Sequence, residues 1–131
     1  MVKKIIITSN EEGTKSIEIG EKEIADQIKY FIGRDQQNKV AIFPLYNQDR
    51  SLWESKPITN NEHRSVSREH LEIIIRNQGV LVRDISSRCG TFYQDKTREH
   101  KIDEEGLFLE SCDNWYSFRL GNKTLINIKV S

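Results

Sequence analysis

An all-β domain is the fold class this sequence predicts. Two features predict it: apolar residues recur with period two far more than with period 3.6, and turn-forming residues interrupt that alternation at short intervals. The 131-residue length is that of one ordinary domain, enough to bury roughly two-thirds of its unfolded surface. A single core serving residues 1–131 is therefore expected.

Taken in order, Lys3 to Thr8 (KKIIIT) is a β-branched run closed by Asn10 and Gly13, and Ser16 to Ile19 (SIEI) alternates before Gly20. These are the first two strands. In EKEIADQIKYF, Ile24, Ile28 and Phe31, with Ala25 beside them, fit helical spacing, so this stretch departs from period two and admits a short helix. Lys39 to Phe43 (KVAIF) is a strand, and Tyr46 to Arg64, polar and without sustained period, reads as a long loop that Leu52 and Trp53 would pin to the body. The clearest hairpin is HLEIIIRNQGVLVRDI: Leu71, Ile73 and Ile75 share a face, and Asn77-Gln78-Gly79 makes a three-residue loop in which glycine takes the φ > 0 position. WYSFRLGNKTLINIKV repeats the design, with Tyr116, Phe118 and Leu120 before a Gly121-Asn122 turn and Ile126, Ile128 and Val130 after it.

Charge and composition exclude several functions. Twenty basic against twenty acidic residues gives no net charge, so the long-range field on which non-specific nucleic-acid or anionic-membrane binding relies is missing. No apolar run approaches the roughly 20 residues that span a bilayer. No nucleic-acid partner, no membrane and a cytoplasmic setting are expected. Two cysteines, Cys89 and Cys112, do not make a disulfide framework, and reduced thiols are the expectation, although the sequence leaves their pairing open.

Enzyme readings find little support. His63, His70 and His100 lie on separate segments without metal-ligand spacing, so they read as structural or surface histidines, and no metal or cofactor is expected. No nucleophile-elbow, Walker or dinucleotide fingerprint occurs. Cys89 with His70 as thiol and base lacks an orienting third group. What remains is three short segments of arginine and hydroxyl residues at strand ends: FIGRD (Phe31 to Asp35), SVSREH (Ser65 to His70) and SSRCGTF (Ser86 to Phe92). A sandwich that gathers its loops at one pole brings them together. Arginine forks, serine hydroxyls and loop amides are the donors that surround a phosphate dianion.

Gly33-Arg34, then Ser67-Arg68-Glu69-His70, then Asp84-Ile85-Ser86-Ser87-Arg88-Cys89-Gly90-Thr91-Phe92 resembles the forkhead-associated (FHA) domain, whose signatures are Gly-Arg, Ser-x-x-His and a loop ending Asn-Gly-Thr. The motifs cover about Tyr30 to Phe92. The resemblance implies a β-sandwich of two twisted, mainly antiparallel sheets whose loops at one end bind phosphothreonine in a partner protein. It implies neither catalysis nor a cofactor. Carried over residue by residue, Arg34 is similar to the family's phosphate-gripping arginine and Ser67 to its phosphate-contacting hydroxyl. His70 is similar to the histidine that braces the loops from beneath, and Gly33, Gly90 and Thr91 fit supporting roles. Arg68 faces either peptide or solvent. Ser87 and Arg88 fall in the loop that lines the phosphothreonine, where Ser87 fits equally the closing of its own turn.

Cys89 stands where the family usually has an asparagine whose amide bonds the peptide backbone, and a thiol is a poor substitute. Weakened or re-aimed binding is the expectation. The stretch from Arg34 to Ser67 is also longer than is typical. The leading reading is a phosphothreonine-dependent interaction module in signalling or assembly, of a size that fits one part of a longer multidomain chain. Two others stay open: a scaffold that binds without phosphate, using the Cys89 loop and the long insertion, and a thiol redox site in which Arg34, Arg68 and Arg88 activate Cys89.

Overall fold

A computed structural model describes residues 1–26, 29–44 and 55–131. Among the described residues the chain forms twelve strands and one short helix: β1 (Ile5–Ser9), β2 (Ile17–Ile19), α1 (Glu21–Asp26), β3 (Lys29–Arg34), β4 (Val40–Phe43), β5 (Lys56–Pro57), β6 (Leu71–Ile75), β7 (Gly79–Asp84), β8 (Thr91–Gln94), β9 (Glu99–Ile102), β10 (Leu107–Glu110), β11 (Trp115–Leu120) and β12 (Thr124–Val130). They make two six-stranded sheets, in the orders β2-β1-β12-β11-β8-β9 and β10-β7-β6-β3-β4-β5, with antiparallel pairing throughout. The all-β sandwich expected from the sequence is what forms.

Period two explains the layering. Alternate residues of a strand face opposite sides, so Ile5 and Ile7, Ile126, Ile128 and Val130, and Phe118 and Leu120 point from the first sheet into the core. Tyr30 and Ile32, Val40 and Ile42, Leu71 and Ile73, and Val80 and Val82 meet them from the second. A one-residue slip would turn each set outward, so burial itself pins the register. The intervening Phe31, Ala41, Phe43, Glu72 and Ile74 of the second sheet are buried too, outside that core cluster. Glu72 accepts a charge-assisted bond from Arg83 Nε at 3.0 Å.

Three expectations need correcting. The helical spacing of Ile24, Ile28 and Phe31 holds only for α1, where Ile24 is buried, and Ile28 lies outside the described residues. Phe31 belongs to β3, because a one-turn helix is marginal while Lys29–Arg34 gains ladders to both β4 and β6. Gly79 does not turn its hairpin with φ > 0; it starts β7, and Arg76 N donates to its carbonyl at 2.9 Å. Close approach requires glycine there, since a Cβ would lie 2.1 Å from Leu109 O of β10. Finally, the expected loop contains a strand: β5 adds to the edge of β4, where Pro57 needs no ladder donor, and Ile58 and Thr59 after it are buried. Leu52 and Trp53, expected to pin that loop, lie outside the described residues. No helix among the described residues is long and apolar enough to cross a membrane.

Candidate functional site

The antiparallel registers put the end of β3, the start of β6, the end of β7, the start of β8 and the β11–β12 turn at one pole. Ile32 pairs with Leu71, Leu71 with Asp84, and Thr91 with Leu120. The three segments singled out in the sequence meet there, and hydrogen bonds join them directly.

Gly33 and Arg34 end β3. A Cβ on Gly33 would sit 1.9 Å from Arg68 O and 2.9 Å from Ser67 O, so only glycine lets the second segment cross over the strand. Arg34 N donates to Ser67 O at 3.1 Å. Its side chain is oriented from two sides, Nε donating to Val66 O at 2.7 Å and Nη1 to Asn38 Oδ1 at 2.6 Å. Asn38 turns β3 into β4 at φ 63°, a conformation asparagine tolerates. Replacing Gly33 with alanine is expected to push the Ser67–Arg68 segment off β3 and cost about 1–3 kcal/mol, as overpacking does; thermal unfolding measures it, and an unchanged midpoint contradicts the crossing.

Ser67 lies between the other two segments. Its hydroxyl accepts from Arg88 N at 2.9 Å, which leaves its own proton to donate elsewhere, and its amide donates to His70 Nδ1 at 3.0 Å. His70 is fully buried, and its Nε2 is 2.7 Å from Gly90 O. A nitrogen that accepts from an amide and another that faces a carbonyl require the neutral ring protonated on Nε2. Burial holds the imidazole pKa below its ordinary value, outweighing the Gly90 carbonyl and the Asp84 charge, which act the other way.

Asp84, which sequence reading quoted without a role, organises the third segment. Asp84 Oδ2 accepts from Ser87 N at 3.0 Å, and its Oδ1 accepts from Thr91 Oγ1 at 2.7 Å and from the Ser87 hydroxyl. Ser87 Oγ in turn accepts from Gly90 N at 3.0 Å. Of the two readings of Ser87, the geometry matches the closing of its own turn. An aspartate three residues before a serine is a turn signature that sequence reading could have used. Gly90 takes φ +88° and is buried, and its carbonyl also accepts from Gly121 N at 2.9 Å. Thr91 is fully buried.

Arg68 and Arg88 are exposed at the rim, and Cys89 is half-buried with a free thiol, as Cys112 is free and exposed. A groove of about 370 Å³ opens beside the β3–β4 turn, lined by Asp35, Gln37, Lys39, Phe43, Pro57 and Asn60 among others. His63 pairs with Glu11 and His100 with Asp95. No group of three or more metal-ligating side chains occurs among the described residues.

The arrangement can present a fixed guanidinium, a donor hydroxyl and rim cations to an anion. Comparison with curated proteins finds none that matches the chain. A family model described as FHA domain matches residues 30–114, which run from β3 to the turn before β11 and include all three segments. On that match, which spans well over half its length, the chain belongs to the FHA domain family.

Proposed function

We propose that Arg34 and Ser67 grip the phosphate of a phosphothreonine in a partner protein, with Arg68, Arg88 and the Cys89 loop flanking the peptide. FHA domains are recognition modules for phosphothreonine peptides, and the finer assignment rests on one observation above all. Ser67 touches both neighbouring segments at once, its carbonyl on Arg34 N and its hydroxyl on Arg88 N. A phosphate placed at that junction meets an arginine fork, a serine proton and two rim cations. The dianion carries about −1.5 to −2 charges with three acceptor oxygens, which such donors complement. The groove beside the β3–β4 turn offers peptide residues on one flank of the phosphate a path along the surface.

Ser87 contributes through the loop, not as a ligand, because its hydroxyl is spent on Asp84 and Gly90 N. Cys89 weakens the hold on the peptide backbone. A thiol is a weak donor and weaker acceptor than an amide. Cys89→Asn is therefore expected to tighten phosphopeptide binding by about 1–3 kcal/mol, the size of one bond to a peptide group that is otherwise left unpaired. Calorimetric titration of both proteins with one phosphopeptide measures it. Equal or weaker affinity in Cys89→Asn shows that this site does not use that contact.

A further inference from the structure

A second polar cluster lies behind the phosphate site, and it includes residues outside 30–114. Glu11 stands in the turn after β1, where its amide donates to Ser9 Oγ at 3.0 Å and its carbonyl accepts from Thr14 Oγ1 at 2.8 Å. That turn presents a carboxylate whose side chain is only 14% exposed. Oε1 accepts from the amides of Asn60 and Asn61, both at 2.8 Å, and Oε2 is 2.9 Å from His63 Nε2. The other ring nitrogen, Nδ1, is 2.7 Å from Thr124 Oγ1 at the start of β12. The imidazole is thus fixed from both ends, by the turn after β1 and by the start of β12. Burial pushes the Glu11 pKa up, but the bonds from His63, Asn61 and Asn60 outweigh it and hold the carboxylate ionised.

What the fixed imidazole carries matters more. The His63 amide donates to Asn38 O at 2.8 Å, and the His63 carbonyl accepts from Val66 N at 3.2 Å. Asn38 and Val66 both orient Arg34, through Asn38 Oδ1 and Val66 O. These two arms on the guanidinium therefore both hang from the backbone of one residue, His63, whose side chain Glu11 and Thr124 lock.

We infer that Glu11 and His63 are positioning residues for phosphate recognition: they set the direction of Arg34 through Asn38 and Val66. The inference rests on the phosphopeptide reading for its consequence, but its geometry is readable without ligand. Neutral His63 can donate to Glu11 while accepting from Thr124, or accept from a glutamine at position 11 while donating to Thr124, since a hydroxyl serves either way. Glu11→Gln is therefore the conservative rescue, and Glu11→Ala the disruption.

The test is the NMR signal of the Arg34 Nε–H group in unliganded protein, with affinity for the tightest phosphothreonine peptide that wild type selects from a degenerate library. Glu11→Ala is expected to speed exchange of the Arg34 Nε proton and to weaken the peptide, each by about tenfold, a change worth 1.4 kcal/mol. Glu11→Gln is expected to stay within about threefold on both, and Glu11→Ala to add nothing in an Arg34→Ala background, as coupled residues require. Should Glu11→Ala not fold, Thr124→Val, which removes only the Nδ1 partner, is expected to speed the same exchange by about threefold or more. Arg34 exchange unchanged in a folded Glu11→Ala or in Thr124→Val overturns the positioning role. Failure of wild type to select any phosphopeptide overturns the phosphopeptide reading instead, and the exchange measurement still decides the other.

Discussion

Arg34→Ala is expected to weaken phosphothreonine-peptide binding by roughly ten- to more than a hundredfold while leaving the domain folded. Charge-assisted hydrogen bonds contribute on the order of 1.5–3 kcal/mol each, and the substitution removes a cation that the site holds in place. Val66 O and Asn38 Oδ1 already fix the guanidinium, so little side-chain entropy remains to be lost on binding. Arg34→Lys keeps the charge but loses the planar fork, and an intermediate loss is expected. Fluorescence anisotropy with one labelled phosphopeptide measures all three proteins. Undiminished binding in Arg34→Ala would move the phosphate contact elsewhere on the surface.

His70→Ala is expected to have the largest effect on stability. The ring fills a fully buried space, receives Ser67 N–H and meets Gly90 O. Truncation leaves the Ser67 amide without its acceptor, at about 1–3 kcal/mol, removes one of the two donors to Gly90 O, which keeps Gly121 N, and adds a cavity. A loss of about 3 kcal/mol or more follows, or roughly 10 °C in the thermal midpoint for a domain of this size. It should also free the Ser67 and Arg88 segments from each other and so weaken phosphopeptide binding.

The same residue gives the domain a pH dependence of definite sign. Burial lowers the folded-state imidazole pKa below its ordinary value, so below about pH 6.5 the unfolded chain binds the proton more readily than the folded one. The contribution is present in full above that pH and is lost as pH falls through the lowered folded value. Thermal midpoints from pH 7.5 to pH 5 should fall for wild type, with a shallower slope in His70→Ala. Parallel slopes would show that another group carries the acid sensitivity.

Strands whose one face is buried were legible because burial imposes the alternation that is read. β12, with Thr124, Ile126, Ile128 and Val130 inward and their neighbours outward, is the plainest case. β9 and β10 were not picked out, for a physical reason: each lies at a sheet edge, and each buries a single residue, Ile102 or Leu109. Gly33-Arg34 and Ser67-x-x-His70 were legible as site residues because their chemistry is local. The partners that hold them were not, because they are brought in from afar. Glu11 and Thr124 reach His63 across 52 and 61 positions of chain, and no short motif encodes that. Asp84 is the exception, since its bonds to Ser87 and Thr91 are local enough to have been read.

We propose recognition of phosphothreonine through Arg34 and Ser67. Its most direct test is capture from a degenerate phosphothreonine peptide library, with matched phosphoserine and unphosphorylated libraries as controls. Wild type should retain phosphothreonine peptides alone, and Arg34→Ala none. Equal retention of phosphorylated and plain peptides would contradict the proposal and point to a scaffold that binds its partner without phosphate.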